Sequence, residues 1–270
     1  MPTDPSTYKV TLSPLQALLL TSLLRLPALP LALNEPQAEP DERAVLAAVD
    51  DLVARGYATR PDEDILSVSS TVVSILQRIA AAPVMMSASA FRDWSGHEAR
   101  FHIAHDLLVM EEKQDEQVML SALRDGDVLE QALLDLAPLP EEEPATSDLD
   151  LGEADIQAAF GLVSDPTPKE ASPADDASAP RVQLDDRMAV ARLDVYRRDP
   201  GERWSLVERL AWLTCQEMLW RANEGGSGPR LYLSPSTKEE IRDSWRALVG
   251  RAVQHYAPYQ APTLEEVNHA

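Results

Sequence analysis

The chain has 270 residues, enough for one large domain or two modest ones with ample core. A formal charge of −21 and a pI near 4.5 argue against a protein that grips phosphate backbones, since no run of clustered Lys and Arg occurs. One cysteine, Cys215, excludes an intrachain disulfide and a four-cysteine zinc site and is compatible with a cytoplasmic protein.

The opening MPTDPSTYKV has no basic stretch leading into an apolar one, so no secretory signal is expected. The apolar segment 15–33 is broken by Arg25, Pro27 and Pro30, and a bilayer span needs about 20 uninterrupted apolar residues. A soluble protein is expected. Ser13-Pro14-Leu15-Gln16 combines an N-cap serine, a proline at the first helical position and a glutamine placed for a capping box. That helix should run to about Arg25. A second begins at Asp41, with Val45, Leu46, Val49, Leu52 and Val53 on one face and Gly56 as its stop. A third, over 64–82, places Ile65, Val68, Val72, Ile75, Leu76 and Ile79 on a stripe and ends before Pro83.

From Val84 the period changes to two. Phe101, Ile103, Leu107 and Val109 alternate with polar or small residues, and strands are expected at 84–93, 99–105, 107–113 and 117–123. Turns this short make an antiparallel meander. Asp127 should cap a helix to Leu136. The segment 138–186 holds seven of the 21 prolines and thirteen acidic residues against Lys169 and Arg181, and 165–180 reads as disordered linker. Within it, 151–163 keeps Leu151, Ile156, Ala159, Phe160 and Val163 at helical spacing. Strands follow at 188–198, 203–213, 216–222 and 230–234, then a helix capped by Ser236 with Ile241, Trp245, Leu248 and Val249 on one side. A capping-box pattern at Ser205–Glu208 leaves a helix over 206–222 as the alternative. The tail from Tyr256 should fray.

The stretches 90–136 and 195–248 read alike, with Gly96 answering to Gly201 and Ser121 to Ser234. The later copy carries a longer hairpin at Gly225-Gly226-Ser227-Gly228. The expected fold is therefore α+β, with two pseudo-repeated halves set back to back, each of helices, an antiparallel β-meander and a C-terminal helix. Residues 1–138 form the first half, 139–187 the acidic linker with its short helix, 188–256 the second half and 257–270 a flexible tail.

No catalytic, cofactor-binding or metal-ligating residue is assigned. His97, His102 and His105 cluster in sequence, but in a strand 102 and 105 point to opposite faces; only a helix would bring them together beside Asp106. They read as surface or partly buried sheet residues. Cys215 has apolar flanks and reads as a small core residue rather than a nucleophile. Glu224-Gly-Gly-Ser-Gly228 lacks the lysine and following helix of a phosphate loop. Glu111-Glu112 and Glu141–Glu143 lack calcium-loop spacing and read as solvated charge.

Aromatics concentrate late in the chain, at Trp204, Trp212, Trp220, Tyr232 and Trp245. On the strand reading Leu206, Leu210, Trp212 and Trp220 share the core face. Trp204, Trp220, Tyr232 and Trp245 are the candidate partner-binding residues, chosen on residue type, because tryptophan is enriched in binding hot spots.

The leading helix from Ser13-Pro14-Leu15, the run Ser74-Ile-Leu-Gln-Arg-Ile-Ala-Ala-Ala-Pro83 entering a strand, the meander to Leu123 and its second occurrence after 188 resemble the EspG family. These are the cytosolic chaperones of type VII (ESX) secretion. The resemblance implies two related α/β halves around a central antiparallel sheet. It also implies a non-enzymatic role: holding the apolar helical tip of a secreted PE–PPE-type substrate, with no cofactor. The acidic linker departs from the family pattern. Two alternatives stand beside it: a scaffold or adaptor, and a winged-helix regulator built on the first three helices, whose third helix offers only Arg78 to phosphate.

Overall fold

The computed structural model describes residues 7–27, 29, 40–62, 65–92, 95–104, 107–123, 126–146, 149–151, 189–199, 204–215, 217–223 and 231–256. The first part of the chain runs β1 (Thr7–Leu12), α1 (Pro14–Leu23), α2 (Glu42–Ala54), β2 (Ala58–Asp62), β3 (Ile65–Val68) and α3 (Ser70–Ala81). A four-stranded meander follows, β4 (Val84–Arg92), β5 (Ser95–Ala104), β6 (Leu107–Gln114) and β7 (Gln117–Leu123), then α4 (Gly126–Leu136). Two short strands, β8 (Glu143–Pro144) and β9 (Leu149–Leu151), precede a second meander: β10 (Ala189–Arg198), β11 (Trp204–Cys215), β12 (Met218–Asn223) and β13 (Leu231–Pro235). The last helix is α5 (Lys238–Arg251), closed by a π-helical turn over Ala252–Tyr256.

The strands other than β2 and β3 form one eleven-stranded sheet in the order β1-β7-β6-β5-β4-β10-β11-β12-β13-β9, with β8 beside β12. The two meanders thus meet edge to edge, not back to back. Their seam is the antiparallel pair β4–β10, in unbroken register from Val84↔Arg197 to Arg92↔Ala189. One core lies on the face carrying α4 and α5. Met86, Phe101, Leu193, Leu210 and Trp212 from the strands meet Leu133, Ile241, Trp245 and Leu248 from the helices there. On the opposite face Val10, Leu12, Val109 and Leu120 are covered by Ala17 and Leu20 of α1, Leu52 of α2, and Val72, Ile75, Leu76 and Ile79 of α3. This core is continuous across the seam between β4 and β10.

Local signals explain most of the boundaries. Ser13 and Gln16 form the expected capping box, Gln16 N–H reaching Ser13 Oγ at 3.2 Å and Ser13 N–H reaching Gln16 Oε1 at 2.8 Å. Gly56, at φ +73°, ends α2 in a Schellman motif: Gly56 N–H bonds the Val53 carbonyl and Tyr57 N–H the Leu52 carbonyl. The sheet edge at β1 is capped by the same turn. Thr11 N–H donates to Tyr57 Oη at 3.1 Å and the Thr11 carbonyl accepts from Arg55 Nη1 at 3.2 Å, which blocks strand addition there.

Several expectations need correction. The third helix starts at Ser70, capped by Ser69, because 65–68 pairs with 58–62 as a hairpin; Ile65 is exposed rather than on the stripe. The N-cap of α5 is Thr237, not Ser236, and α4 begins at Gly126, ahead of Asp127. Residues 204–215 are strand, which removes the helical alternative. Within the expected linker, 143–144 and 149–151 pair with β12 and β13. The expected helix at 151–163, the stretch 165–180, Gly201, the glycine-rich loop at 224–228 and the tail beyond 256 lie outside the described residues. Glu111 is fully buried rather than solvated, and so is His102 beside it. The exposed positions of α3 are Ser70, Ser74, Gln77 and Ala81, and Arg78 is half-buried.

Candidate protein-binding site

Strands β10 and β11 pair in unbroken register from Ala189↔Thr214 until a bulge. Arg209 opposes Asp194 and Glu208 opposes Val195, but the next pair is Leu206 with Tyr196, so Val207 is the extra residue. The bulge shifts the side-chain alternation and turns two apolar residues outward: Leu206 is 41% and Val207 39% exposed. Alternation from Leu210 and Trp212 alone places Leu206 in the core. The bulge, invisible in sequence, is why it is not.

Beside them Trp204, half-buried, is held by Arg198, whose guanidinium lies 5.6 Å from the ring centroid. Arg198 is itself anchored. Its N–H donates to the Pro83 carbonyl at 2.9 Å and its Nη1 donates to the Ala80 carbonyl at the end of α3. A cation there satisfies a terminal carbonyl and suits the negative end of the helix dipole. Trp204, Leu206 and Val207 thus form a small apolar patch fixed to both halves of the sheet.

Inward from this patch lies a buried charge centre. Asp194, fully buried, accepts Arg209 Nε at 2.7 Å and Nη2 at 3.0 Å, and Tyr196 Oη at 3.2 Å; Arg192 Nε lies 3.1 Å away. A buried carboxylate is tolerable only when satisfied in this way. Burial first, and the neighbouring Asp194 second, push the Tyr196 phenol above its ordinary value. Across the strands the same row continues as Arg209, Asp194, Ser87, Arg100 and Glu111, five residues directly opposite one another on β11, β10, β4, β5 and β6. His102 Nε2 meets Glu111 Oε2 at 2.8 Å, both buried beneath α3.

Of the three candidate partner residues whose side chains are described, Trp204, Trp220 and Trp245, only Trp204 is partly exposed. Trp245 is in the core against α4, 2% exposed, and Trp220 is 4% exposed on the sheet face opposite α5, not alongside Trp212. Tyr232 belongs to β13, but its side chain lies outside the described residues. Leu206 and Val207 were missed as surface residues. Cys215 is buried. His97 is exposed, His105 lies outside the described residues, and among the described residues no three His, Cys, Asp or Glu side chains are placed to share a metal ion.

Taken together, a broad antiparallel sheet backed by helices, with an anchored tryptophan at a bulged strand end, defines an α+β fold. The chain is similar to the structure of the Mycobacterium tuberculosis type VII secretion system chaperone EspG5 in complex with the PE25–PPE41 dimer. The likeness covers 94% of this chain and 98% of that one, with a TM-score of 0.54 and 11% sequence identity. No protein-family model matches the sequence, and no curated protein does. Among the described residues no helix is long and apolar enough to cross a membrane.

Proposed function

We propose that this chain is a non-enzymatic cytoplasmic chaperone or adaptor that holds an apolar helical segment of a partner protein, a secretion substrate, and keeps it soluble. The observation that carries this reading is the fold likeness over nearly the whole of both chains to a chaperone solved with its protein partner. The patch of Trp204, Leu206 and Val207 is the contact surface: a rigid aromatic anchor beside aliphatic side chains is the usual seat for the apolar stripe of a helix. No nucleic acid is needed, and the acidic surface suits a soluble holder.

The test is co-expression with helical secretion substrates encoded near the gene, followed by purification through a tag on this chain. The expected result is a stoichiometric complex that Trp204→Ala combined with Val207→Asp abolishes without changing the unfolding midpoint of the free chain. Failure to retain any such substrate, with the wild-type chain folded and in excess, would overturn the reading.

A further inference from the structure

Six buried residues of the second meander belong to neither described core. Val190, Leu213 and Trp220 stand directly opposite one another on β10, β11 and β12, with Ala211 and Cys215 two residues either side of Leu213. Leu233 of β13 opposes Ala222 of β12, on the same side as Trp220. All six lie on the sheet face away from α5, and each is 4% exposed or less. Helices α1, α2 and α3 cover this face only across the seam, over the first meander. Burial so complete needs a covering element. No described element lies there.

We infer that residues 152–163 are that cover: the chain between β9 and β10 docks on this face as an amphipathic helix, with Ile156, Ala159, Phe160 and Val163 against the sheet. Topology carries the argument. Four antiparallel pairings separate β9 from β10, so the two strands run parallel and the chain joining them crosses over the sheet. Four antiparallel pairings also separate β1 from β4, and their crossover carries α1, α2 and α3 over this same face. Crossovers between parallel strands share one hand. Read inward from either edge, the sheet is an outer strand and then a meander from its last strand to its first. A second crossover of the same hand therefore falls on the same face, over the second meander. The opposite face is already filled there by α5.

Pattern and length agree. The four apolar positions recur at i, i+3, i+4 and i+7, one side of a helix. As a helix, 152–163 spans about 18 Å, against about 19 Å for the four strand spacings from β9 to β10. Other stretches start from elsewhere: the tail beyond 256 leaves the end of α5 on the opposite face, and 30–39 lies between α1 and α2 in the first part of the chain. Docking there withdraws this face from any partner and leaves exposed Leu206 and Val207 as the apolar surface at their end of β11. The inference does not rest on the proposed function.

Cys215 is the one cysteine of the chain and lies on this face, so thiol labelling of the full chain reports the cover directly. Ile156→Asp with Phe160→Asp should speed labelling of Cys215 in native buffer by about tenfold or more, while Gln157→Asp, on the polar side, keeps the wild-type rate. Equal rates in wild type and the double variant overturn the inference, as does a Gln157→Asp rate matching the double variant's. Should the double variant lose its cooperative unfolding transition, a benzophenone side chain placed at position 160 of the otherwise unchanged chain decides. The expected photoproduct is an intrachain crosslink to β11, β12 or β13. Crosslinks confined to other elements, or joining two chains, overturn the inference.

Discussion

On one side of the β4–β10 seam the sheet is covered on both faces, by α4 above and by α1 and α3 below. On the other side, α5 covers one face and no described helix forms a core with the second. The element order is shared, four antiparallel strands and then a helix on the same face; common descent of the two halves is a proposal that this order motivates. The difference lies in what fixes the strands. Under α3, apolar side chains interlock with the sheet and an ionisable pair, His102 with Glu111, is enclosed. Beyond the seam that face carries Asp194 and its arginines as well as buried Leu213, Trp220 and Leu233. A one-residue slip of β10 would move Asp194 into the apolar core on the α4 and α5 face, so the charge centre opposes that slip, together with buried Leu213 on the same face of β11.

The largest expected effect tests whether the two sides share one core. Trp245→Ala in α5 and Leu133→Ala in α4 each remove a side chain from the same cluster. Each should cost about 3–5 kcal/mol, read as a lower denaturant midpoint at unchanged slope. A single transition should shift in both variants. Two transitions, with only one moved by each substitution, would show that the halves are independent and break the comparison at its root.

Next is the charge centre. Asp194→Ala leaves Arg209 and Arg192 facing each other without their carboxylate. Because both arginines reach solvent, the loss should lie near the low end for a broken buried pair, about 3 kcal/mol. The same measurement on Asp194→Asn separates charge from hydrogen bonding. If Asp194→Ala is silent, register on this side is set by something other than the charge row.

How far the sequence anticipates these features depends on where the cause is local. Capping residues at Ser13, Gly56 with its positive φ, and period-two alternation through Phe101 and Ile103 are short-range signals, and the elements they imply are present. The register that aligns Arg209, Asp194, Ser87, Arg100 and Glu111 is set by residues far apart in sequence. Glu111 therefore reads as solvated until β5 and α3 are placed against it. The bulge at Val207 inverts alternation for one residue and turns Leu206 and Val207 into surface, which no periodicity argument detects. Trp220 and Trp245 read alike with Trp204 in the sequence, and only the placed sheet separates them as buried from a half-buried Trp204 stacked on Arg198.

A pH series sharpens the same comparison. The folded-state value of Tyr196 is raised by burial and then by Asp194, so the folded chain holds the phenolic proton more tightly than the unfolded one. That stability is fully present below the unfolded value near 10 and is lost as pH rises through the folded value. Wild type should therefore lose stability in the alkaline limb, and Tyr196→Phe should flatten that limb. An identical alkaline slope in the two proteins would remove Tyr196 from the Asp194 network.

The two capping boxes give the smallest effect and the finest contrast. Ser13→Ala and Thr237→Ala should each cost about 1 kcal/mol, because each frees one helix-start N–H. They should differ with pH. The first box closes through Gln16, which does not titrate, and the second through Glu240. There the Thr237 N–H, and then the Ser236 hydroxyl, hold the carboxyl below its usual range. A lowered folded value means the contribution is present above the unfolded value near 4.3 and is lost as pH falls through the folded one. Acid should therefore loosen the start of α5 while leaving that of α1 intact. Amide exchange at Glu240, compared with Gln16 in wild type and in Glu240→Gln, reads this site by site. Equal acid sensitivity at both helix starts would mean that the carboxyl's bond to Thr237 contributes nothing to holding α5 in place.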